Sequence, residues 1–429
     1  MSSLKVRPSK IAGEVDAPPS KSYTHRAFMI ALLADGESRI TKPLIGYDTM
    51  ATVDAIKQLG ADVVQEGEVW RVKGTAGNLN PRTDLIDARN SGTTIRIMSA
   101  IASLSPKPVR LTGDESILKR PMGPLIGALK MLGARAKCEG AQDRPPVVVG
   151  GGLIGGDAEI TGGVSSQFIS ALLLAAPYAK NDVKLRITDE LRSKPYIDIT
   201  LELLEKAGVK VRRDRGMMEF NVQGGQTFNP INFTIPGDFS SAALVLGAAT
   251  ITGSAVKVNN LNMKTAQGDK RIVNLLDEFG ADLRVHKDAV EIRGAGELSG
   301  IEADCGDNPD LVPVLAVLGS VADGRTRLTN IPHLRLKETD RLRALATELR
   351  KLGADVEELP DELKIDGAEQ LKGARLDSYG DHRMAMAFAV AGLVARGETV
   401  VDGAESIPVS YPSFVDDMRK LGAKMELVE

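Results

Sequence analysis

Hydrophobic and polar positions along this chain follow one pattern six times. Each repeat opens with a short polar cluster, continues with an apolar run, and closes with an amphipathic segment that ends in Leu-Gly-Ala or a close variant. The closing glycines, spaced by 73, 75, 72, 73 and 69 residues, are Gly60, Gly133, Gly208, Gly280, Gly353 and Gly422. A fixed period of this kind predicts similar structural units, each unable to cover its apolar face alone.

The apolar runs predict helices that are buried on every side, because they have no polar face to present to water. Four clear examples are residues 27–34, 171–176, 242–249 and 384–395. The amphipathic segments, such as residues 344–353, carry charge on one side and lead into short alternating runs that predict strands. We therefore expect a helix, a strand, a turn and a strand in each repeat. The period exceeds that of common solenoid repeats, which favours closed domains of three units each.

Composition narrows the class of protein. A length of 429 residues with 43% hydrophobic content is a prior for two or three domains with sizeable cores. A net charge of −3 argues against a nucleic-acid partner, although local basic pockets stay possible. The two cysteines, Cys138 and Cys305, lack metal-ligand spacing and fit a reducing cytosol without disulfides.

Two further features of the sequence bear on where the protein is expected to be located. The first ten residues lack the apolar core of a secretion signal. The longest apolar run, which follows Arg383, is about a dozen residues long and falls short of the roughly 20 that span a bilayer. We expect a cytoplasmic protein that has no membrane partner and needs no metal.

The polar clusters lie where the buried helices begin, at residues 20–22, 90–93, 165–167, 238–241, 307–310 and 381–383. A helix N-terminus presents unpaired N–H groups and a partial positive charge, so it attracts phosphate or carboxylate. Ordinary N-capping also explains any single cluster. Cations accompany four of the six: Lys21 with Arg26, Arg96, Lys337 with Arg341, and Arg383. Together these helix ends predict a site for polyanions.

In the first half of the chain, residues 18–27 place Lys21 and Arg26 between two prolines and an apolar helix. A cation in that position is more consistent with a site than with a solvated surface. Residues 90–96 repeat the design, and Gly92 would let a ligand approach the backbone closely.

Arg120 stands directly before a proline, at the entry to an amphipathic helix. A guanidinium held there can grip an anion through two parallel hydrogen bonds. A loop salt bridge to Asp114 or Glu115 is an equally good interpretation of the local sequence.

In the second half, Lys337, Glu338 and Arg341 are expected within one helical turn, with Lys337 and Arg341 on one face. Like charges so placed repel unless an anion lies between them. Glu338 beside these cations is expected to have a low pKa unless substrate burial raises it, and such a carboxyl can serve as both acid and base.

His382 lies between Asp381 and Arg383 at the head of an apolar helix. A lone histidine is usually structural, but its two charged neighbours favour a role in a site. His286 and His333 have no comparable context and are taken as background.

Eight motifs together resemble the EPSP synthases, the family of 3-phosphoshikimate 1-carboxyvinyltransferases. They are Pro-Pro-Ser-Lys-Ser at 18–22, Asn-Ser-Gly-Thr-Thr-Ile-Arg at 90–96, Leu-Lys-Arg-Pro-Met at 118–122, Ser-Ser-Gln-Phe at 165–168, Lys-Pro-Tyr-Ile-Asp at 194–198, Pro-Gly-Asp-Phe-Ser-Ser at 236–241, Lys-Glu-Thr-Asp-Arg at 337–341 and Asp-His-Arg-Met-Ala at 381–385. The resemblance runs the whole length and implies enolpyruvyl transfer from phosphoenolpyruvate to shikimate 3-phosphate.

The resemblance also implies the fold: a two-domain inside-out α/β barrel built from six repeated helix and strand units with buried parallel helices. One domain is expected to comprise residues 20–235 and to hold shikimate 3-phosphate. The other is expected to comprise residues 1–19 and 236–429 and to supply the catalytic acid and base together with the phosphoenolpyruvate side. The family needs no cofactor, and we expect a monomer.

Site residues follow from the resemblance, position by position. Asp310 is implied as the general base and Glu338 as the proton donor, with Lys21 and His382 beside them. The residues implied to hold shikimate 3-phosphate are Lys21, Ser22, Arg26, Ser165, Ser166, Gln167, Ser193, Tyr196, Asp310 and Lys337. The residues implied to hold phosphoenolpyruvate are Lys21, Asn90, Gly92, Arg120, Gln167, Arg341 and Arg383.

Three positions depart from the family pattern. Val409 stands where many members have a phosphate-binding lysine, His333 replaces a frequent asparagine, and Ile97 replaces a proline common in glyphosate-sensitive members.

Two alternatives stay open. UDP-N-acetylglucosamine enolpyruvyl transferase has similar repeats, but it carries a reactive loop cysteine, which residues 113–121 lack, and it begins with Lys-Asn where this chain has Lys21 and Ser22. A non-catalytic anion-binding or RNA-handling protein would keep the cations but would not keep Asp310 and Glu338 together.

Overall fold

The computed structural model of this protein describes residues 2–428. Within that range the chain forms 13 α-helices. They are α1 (Lys21–Leu33), α2 (Tyr47–Gln58), α3 (Gly92–Ala102), α4 (Glu115–Leu118), α5 (Gly123–Met131), α6 (Ser166–Ala175), α7 (Lys194–Lys206), α8 (Phe239–Ile251), α9 (Ile272–Phe279), α10 (Val312–Gly319), α11 (Arg341–Lys351), α12 (His382–Gly392) and α13 (Phe414–Lys420). Short 3₁₀ helices span Ala176–Tyr178, Gly268–Arg271, Pro332–Leu336 and Ala404–Val409. No helix of the described range is long and apolar enough to cross a membrane.

The same residues form 24 strands. They are β1 (Ser3–Arg7), β2 (Gly13–Asp16), β3 (Glu37–Thr41), β4 (Asp62–Glu66), β5 (Val69–Lys73), β6 (Leu85–Asp87), β7 (Val109–Thr112), β8 (Arg135–Gly140), β9 (Arg144–Gly150), β10 (Gly156–Ile160), β11 (Val183–Ile187), β12 (Val211–Arg213), β13 (Glu219–Val222), β14 (Asn232–Thr234), β15 (Val256–Asn259), β16 (Ala281–Val285), β17 (Ala289–Ala295), β18 (Glu302–Asp304), β19 (Arg325–Thr329), β20 (Asp355–Glu358), β21 (Leu363–Asp366), β22 (Arg375–Asp377), β23 (Thr399–Asp402) and β24 (Lys424–Val428).

The strands form six four-stranded sheets that share one plan. The orders are β14-β3-β5-β4, β6-β7-β9-β8, β10-β11-β13-β12, β16-β17-β15-β2, β18-β19-β21-β20 and β22-β23-β1-β24. In each sheet an edge strand pairs parallel with its neighbour, as β10 does with β11, and the remaining pairs are antiparallel. A repeat therefore reads strand, inner helix, strand, outer helix and hairpin.

The prediction of a helix, a strand, a turn and a strand was therefore incomplete, because it omitted the parallel edge strand and the strand between the two helices. Three of the edge strands, β6, β18 and β22, have three residues each, of which only the middle one is buried. So short an alternation carries no recognisable period in the sequence.

The chain divides into two compact units. Unit A comprises residues 19–235, and unit B comprises the residues up to 18 together with those from 236 onward. In each unit, strands that are distant in sequence complete the sheets. In unit A, the last strand, β14, supplies the parallel partner of β3. In unit B, the N-terminal segment supplies β2 as the parallel partner of β15 and β1 as the strand between β23 and β24.

The inner helices are buried on all sides, as the apolar runs predicted. Every residue of α3, α10 and α12 is buried, and α1, α6 and α8 have only one or two partly exposed positions each. The two-domain α/β fold with buried helices, expected from the resemblance, is confirmed.

The recurring glycines follow the outer helices α2, α5, α7, α9, α11 and α13. All six have positive φ, between 83° and 114°. A residue in this left-handed region lets the last helical carbonyls find N–H partners, and glycine adopts it without a Cβ clash. The sixfold Leu-Gly-Ala signal is therefore a set of helix C-terminal caps.

Candidate active site

Arg341 is the centre of the polar cluster in unit B. Helix α11 begins at this residue, with Asp340 as its N-cap. Lys337 lies outside the helix, directly after the 3₁₀ helix Pro332–Leu336. The expectation that Lys337, Glu338 and Arg341 share one helical turn was therefore wrong, because the Asp340 side chain accepts the N–H of Arg343 and starts the helix later than charge spacing suggested.

Three carboxylates contact the buried guanidinium of Arg341. Its Nε donates to Asp381 Oδ2 at 2.7 Å, Nη1 to Asp310 Oδ1 at 2.9 Å, and Nη2 to Glu338 Oε2 at 2.9 Å. Burial alone would lower the pKa of Arg341, but Asp381, Glu338 and Asp310 outweigh it and raise that pKa above its ordinary value. Arg341 is therefore a permanent cation inside an acidic shell, where the sequence suggested repulsion from Lys337.

Asp310 joins two arginines. Its Oδ1 accepts from Arg341, and its Oδ2 lies 2.9 Å from Nη2 of Arg383. Asp310 precedes α10, and Arg383 is the second residue of α12, so two inner helix N-termini meet through this carboxylate. The side chain of Asp310 is 17% exposed, which leaves part of it accessible.

Asp381 caps α12. Its Oδ1 accepts the N–H of Arg383 at 2.9 Å and lies 3.9 Å from Nδ1 of His382. One carboxylate thus starts the helix that carries His382 and Arg383 and also orients Arg341. The structure brings together Asp310, Glu338, Arg341, His382 and Arg383 through these contacts.

Asp269 is a buried carboxyl that the sequence analysis missed. Its Oδ2 accepts from the Ser240 hydroxyl at 2.5 Å, and its Oδ1 accepts from Asn308 Nδ2 at 3.3 Å. Burial and then the charge of Asp310 raise the pKa of Asp269 to about 6. Next to it, Gln267 accepts the N–H of Phe239 at the start of α8.

In unit A, Lys21 begins α1, and its Nζ lies 3.1 Å from Asp48 Oδ2 at the start of α2. Asp48 was also missed. Ser20 is the N-cap residue of α1, but its side chain makes no capping hydrogen bond, unlike Ser91 and Ser165. Ordinary capping therefore accounts for Ser91 and Ser165 but not for the side chain of Ser20.

The N-termini of α3 and α6 are joined by a second cluster. Arg96 Nη1 donates to Ser165 Oγ at 3.2 Å and to Gln167 Oε1 at 2.9 Å. Gln167 Nε2 in turn donates to Thr93 Oγ1 at 2.9 Å. The Arg96 guanidinium also lies over the ring of Phe168, 5.2 Å from its centroid. Arg96 thus orients Ser165 and Gln167. Both of these were predicted substrate ligands, whereas Arg96 was not.

Arg26 is buried inside unit A. Its guanidinium donates to the Ser22 carbonyl, to Thr200 Oγ1 at 2.7 Å and to Ser170 Oγ at 3.2 Å. Burial lowers the pKa of Arg26 to about 10. Thr200 also donates to the Tyr196 carbonyl. Arg26 therefore ties α1 to α6 and α7, the helices that carry Ser166 and Tyr196; Ser193 precedes α7 at φ 57°.

Arg120 lies over the first turn of α3. A Cβ added to Gly92 would stand 2.3 Å from Arg120 Nη1 and 3.3 Å from Cζ. Arg120 also donates to Ser116 Oγ at 3.3 Å. Any residue other than glycine at position 92 would require this guanidinium to shift. In the same turn, the buried Oδ1 of Asn90 accepts no hydrogen bond from the described residues.

The three departures from the family pattern all lie inside the protein. Val409 is buried at the end of the 3₁₀ helix Ala404–Val409, His333 is buried in Pro332–Leu336, and Ile97 is fully buried in α3.

Known proteins are similar to this chain over its full length. The family model for EPSP synthase (3-phosphoshikimate 1-carboxyvinyltransferase) matches residues 6–418. The chain is 48% identical over 423 residues to the 3-phosphoshikimate 1-carboxyvinyltransferase of Methanocaldococcus jannaschii, covering 97% of each. It is 47% identical over 425 residues to that of Methanocella arvoryzae, covering 99% of each. The solved EPSP synthase from Acinetobacter baumannii superposes with a TM-score of 0.84 at 27% identity, covering 100% of both chains.

Proposed function

Because this chain belongs to the EPSP synthase family, we propose that the two polar clusters described above carry out that family's reaction. The enzyme transfers the enolpyruvyl group of phosphoenolpyruvate to the 5-hydroxyl of shikimate 3-phosphate and releases phosphate, a step of the shikimate pathway (EC 2.5.1.19). What we propose is the assignment of individual side chains to that chemistry.

The pairing of Arg341 with Asp310 and Glu338 carries the assignment. The reaction needs one group that removes a proton from the 5-hydroxyl and one that delivers a proton to C3 of phosphoenolpyruvate. Two part-exposed carboxylates on one buried guanidinium meet that need. We assign the base to Asp310 and the proton donor to Glu338.

The steps balance as follows. The 5-hydroxyl oxygen bonds to C2 of phosphoenolpyruvate while its proton goes to Asp310 and C3 takes a proton from Glu338, giving a tetrahedral ketal. The C2–O bond to phosphate then breaks and its electron pair leaves with phosphate, which takes the proton from Asp310. C3 returns a proton to Glu338, and the C2–C3 double bond re-forms. An anion bound by Arg341 and Arg383 would share their N–H donors with Asp310, and a carboxylate that is less paired is a stronger base.

For shikimate 3-phosphate we propose the cluster of unit A. Ser165, Ser166 and Gln167 lie at the N-terminus of α6, where unpaired N–H groups favour a phosphate. The other proposed ligands in that unit are Lys21, Ser22, Arg26, Ser193 and Tyr196. Asp310 and Lys337, which lie in unit B, are the other two residues that the family resemblance implies for shikimate 3-phosphate.

For phosphoenolpyruvate we propose Asn90, Gly92 and Arg120 at the first turn of α3, together with Lys21 and Gln167. Arg341 and Arg383 are the proposed ligands from unit B. Backbone N–H groups beside a planar guanidinium suit both a carboxylate and a phosphate. We propose that His382, whose Nδ1 lies 3.9 Å from Asp381 Oδ1, acts beside the reacting atoms.

Release of inorganic phosphate tests the function. Purified enzyme and phosphoenolpyruvate are assayed with shikimate 3-phosphate, with UDP-N-acetylglucosamine, and with neither. We expect phosphate only in the first reaction. Release with the nucleotide sugar would instead identify the related transferase, and release in no reaction would indicate a binding protein.

We also propose that the enzyme works as a monomer in the cytoplasm, since both clusters are provided by one chain. Light scattering with and without both substrates tests the oligomeric state.

A further inference from the structure

A chain of buried hydrogen bonds links three helices of unit A. His25 on α1 lies 2.7 Å, through Nδ1, from Thr52 Oγ1 on α2. Thr52 Oγ1 lies 2.7 Å from Thr94 Oγ1 on α3, and Thr94 Oγ1 donates to Ser91 Oγ at 2.8 Å. All four side chains are 0% exposed. None of them is among the proposed substrate ligands.

The proton order along this chain is determined by its far end. Thr94 has a single hydroxyl proton, which it gives to Ser91, so Thr52 must donate to Thr94. Thr52 then has only lone pairs left for His25, and the proton in that bond must come from Nδ1. His25 is therefore the neutral tautomer protonated at Nδ1. Burial, with Lys21 and Arg26 nearby, lowers the pKa of His25 and agrees with a neutral ring.

Both ends of the chain reach proposed phosphoenolpyruvate ligands. At one end, Ser91 is the N-cap of α3, where its Oγ accepts the N–H of Thr94, and Asn90 and Gly92 flank it. At the other end, His25 Nε2 lies 4.0 Å from Asp48 Oδ2, the oxygen that holds Lys21.

We propose that the His25, Thr52, Thr94 and Ser91 chain positions the first turn of α3 relative to Lys21 and thereby determines the affinity for phosphoenolpyruvate. Thr52 and Thr94 are positioning residues: they act through the turn that carries Asn90 and Gly92. The inference rests on the assignment of that turn to phosphoenolpyruvate. No residue of α3 is assigned to shikimate 3-phosphate, so its binding is expected to depend less on the chain than the binding of phosphoenolpyruvate does.

Valine matches threonine in shape but lacks the hydroxyl, so Thr52→Val and Thr94→Val break the chain and leave its neighbours with unpaired buried groups. We expect each variant to raise KM for phosphoenolpyruvate roughly tenfold, the scale of one lost buried hydrogen bond. The KM for shikimate 3-phosphate is expected to change less than twofold, and Thr52→Ser, which restores the hydroxyl, is expected to recover most of the loss.

Two control variants remove buried hydroxyls outside the chain. Ser99→Ala lies in the same helix, where Ser99 donates only to the Ile95 carbonyl, and Thr250→Val makes the same exchange in α8. Both are expected to leave both KM values unchanged. Equal rises in the two KM values, or a rise for phosphoenolpyruvate in Ser99→Ala of the size seen in Thr94→Val, would overturn the proposal.

A second measurement is independent of activity. The protein has only four histidines, so ¹⁵N–¹H correlation spectra can resolve each ring. We expect the His25 signal of a neutral ring protonated at Nδ1, and loss of that pattern in Thr52→Val. A His25 ring protonated at Nε2 would contradict the proposed proton order. If wild-type enzyme released no phosphate from its substrates, the assigned function would fail, whereas the tautomer result would still stand.

Discussion

The side chain of Asp269 is buried, and burial disfavours its ionised form. Its folded-state pKa of about 6 exceeds the ordinary value of 3.8, so the folded protein binds a proton where the unfolded chain has lost it. Stability from this group is therefore greatest at low pH and declines as pH rises through the range between the two values. Ser240 and Asn308 hold the side chain in place through hydrogen bonds.

We predict that Asp269→Asn is more stable than wild type at pH 8. The difference in free energy of unfolding between variant and wild type should be about 2 to 3 kcal/mol larger at pH 8 than at pH 4. Urea unfolding at several pH values measures this difference. Asp366→Asn is the contrasting control, because Arg325 lowers the pKa of Asp366 and the pH dependence should have the opposite sign. If the stability difference between Asp269→Asn and wild type did not change with pH, the pKa of Asp269 would be the same in the folded and the unfolded protein.

Glu338→Gln tests the proposed proton donor. Glutamine keeps the shape and can still accept a hydrogen bond from Arg341, but it has no proton to transfer. We predict a loss of kcat of roughly 10²- to 10⁴-fold with little change in the Kd for shikimate 3-phosphate. Glu357→Gln, which removes an exposed partner of Lys364, is the control. Turnover within threefold of wild type would remove Glu338 from the mechanism.

Gly92→Ala tests the contact with Arg120. The added Cβ would stand 2.3 Å from Arg120 Nη1, so the guanidinium must shift. Glyphosate is slightly longer than phosphoenolpyruvate, and a smaller pocket excludes the longer ligand more strongly. We predict that the inhibition constant for glyphosate, competitive with phosphoenolpyruvate, rises more than KM does. An unchanged ratio of the two constants would assign the discrimination to another residue.

Each outer helix begins in a loop that follows the middle strand of its repeat, and these loops carry much of the candidate chemistry. In successive repeats, the segments from these loops to the first turn of the outer helix contain Asp48, Arg120, Ser193, Asp269 and Glu338. Sequence analysis concentrated on the inner helix heads and so missed Asp48 and Asp269. Position within the repeat was the signal that could have found both, since each lies 11 to 15 residues before its closing glycine, as Arg120 and Glu338 do.

Two glycine substitutions are predicted to have opposite effects on the free energy of unfolding. Gly353 caps α11 at φ 101° with open space around it, so Gly353→Ala is strained by conformation alone and should cost about 1 kcal/mol of unfolding free energy. Gly127 lies inside α5 with no atom near its Cβ position, and Gly127→Ala should stabilise by about 0.5 to 1 kcal/mol. Thermal unfolding compares the variants, and both should keep wild-type KM values. A stabilising Gly353→Ala would contradict the capping role.

At the scale of the whole molecule, the two units differ in which parts of the chain build their sheets. All three sheets of unit A are built from residues 19–235, whereas unit B needs β1 and β2 from the N-terminal segment. Without β1, strands β23 and β24 lose their common partner.

We predict that a fragment of residues 19–235 folds alone and unfolds cooperatively in urea. A fragment of residues 236–429 should fold poorly until a peptide of residues 1–18 is added, since unpaired strand edges and buried apolar faces are costly. Circular dichroism and urea unfolding monitor both fragments. A stable second fragment without the peptide would show that β1 and β2 are dispensable.

The sequence by itself determined the features that depend on nearest neighbours along the chain. Apolar runs identified the inner helices, the repeated glycines marked the ends of the outer ones, and the eight motifs identified the family. These signals are local: a helix face, a capping glycine or a motif lies within about 20 residues, and its physics needs no distant partner.

Only the tertiary structure decided which charges meet. Lys337 and Arg341 were expected to face each other, yet Arg341 instead contacts Asp310 and Asp381, which lie far from it in sequence. The roles of Asp269 and His25 and the pairing of β1, β2 and β14 likewise depend on contacts between separate elements of the chain. The reason is that a buried charge takes whichever opposite charge or hydrogen-bond donor the packed backbone brings within about 3 Å, and chain spacing does not encode that choice.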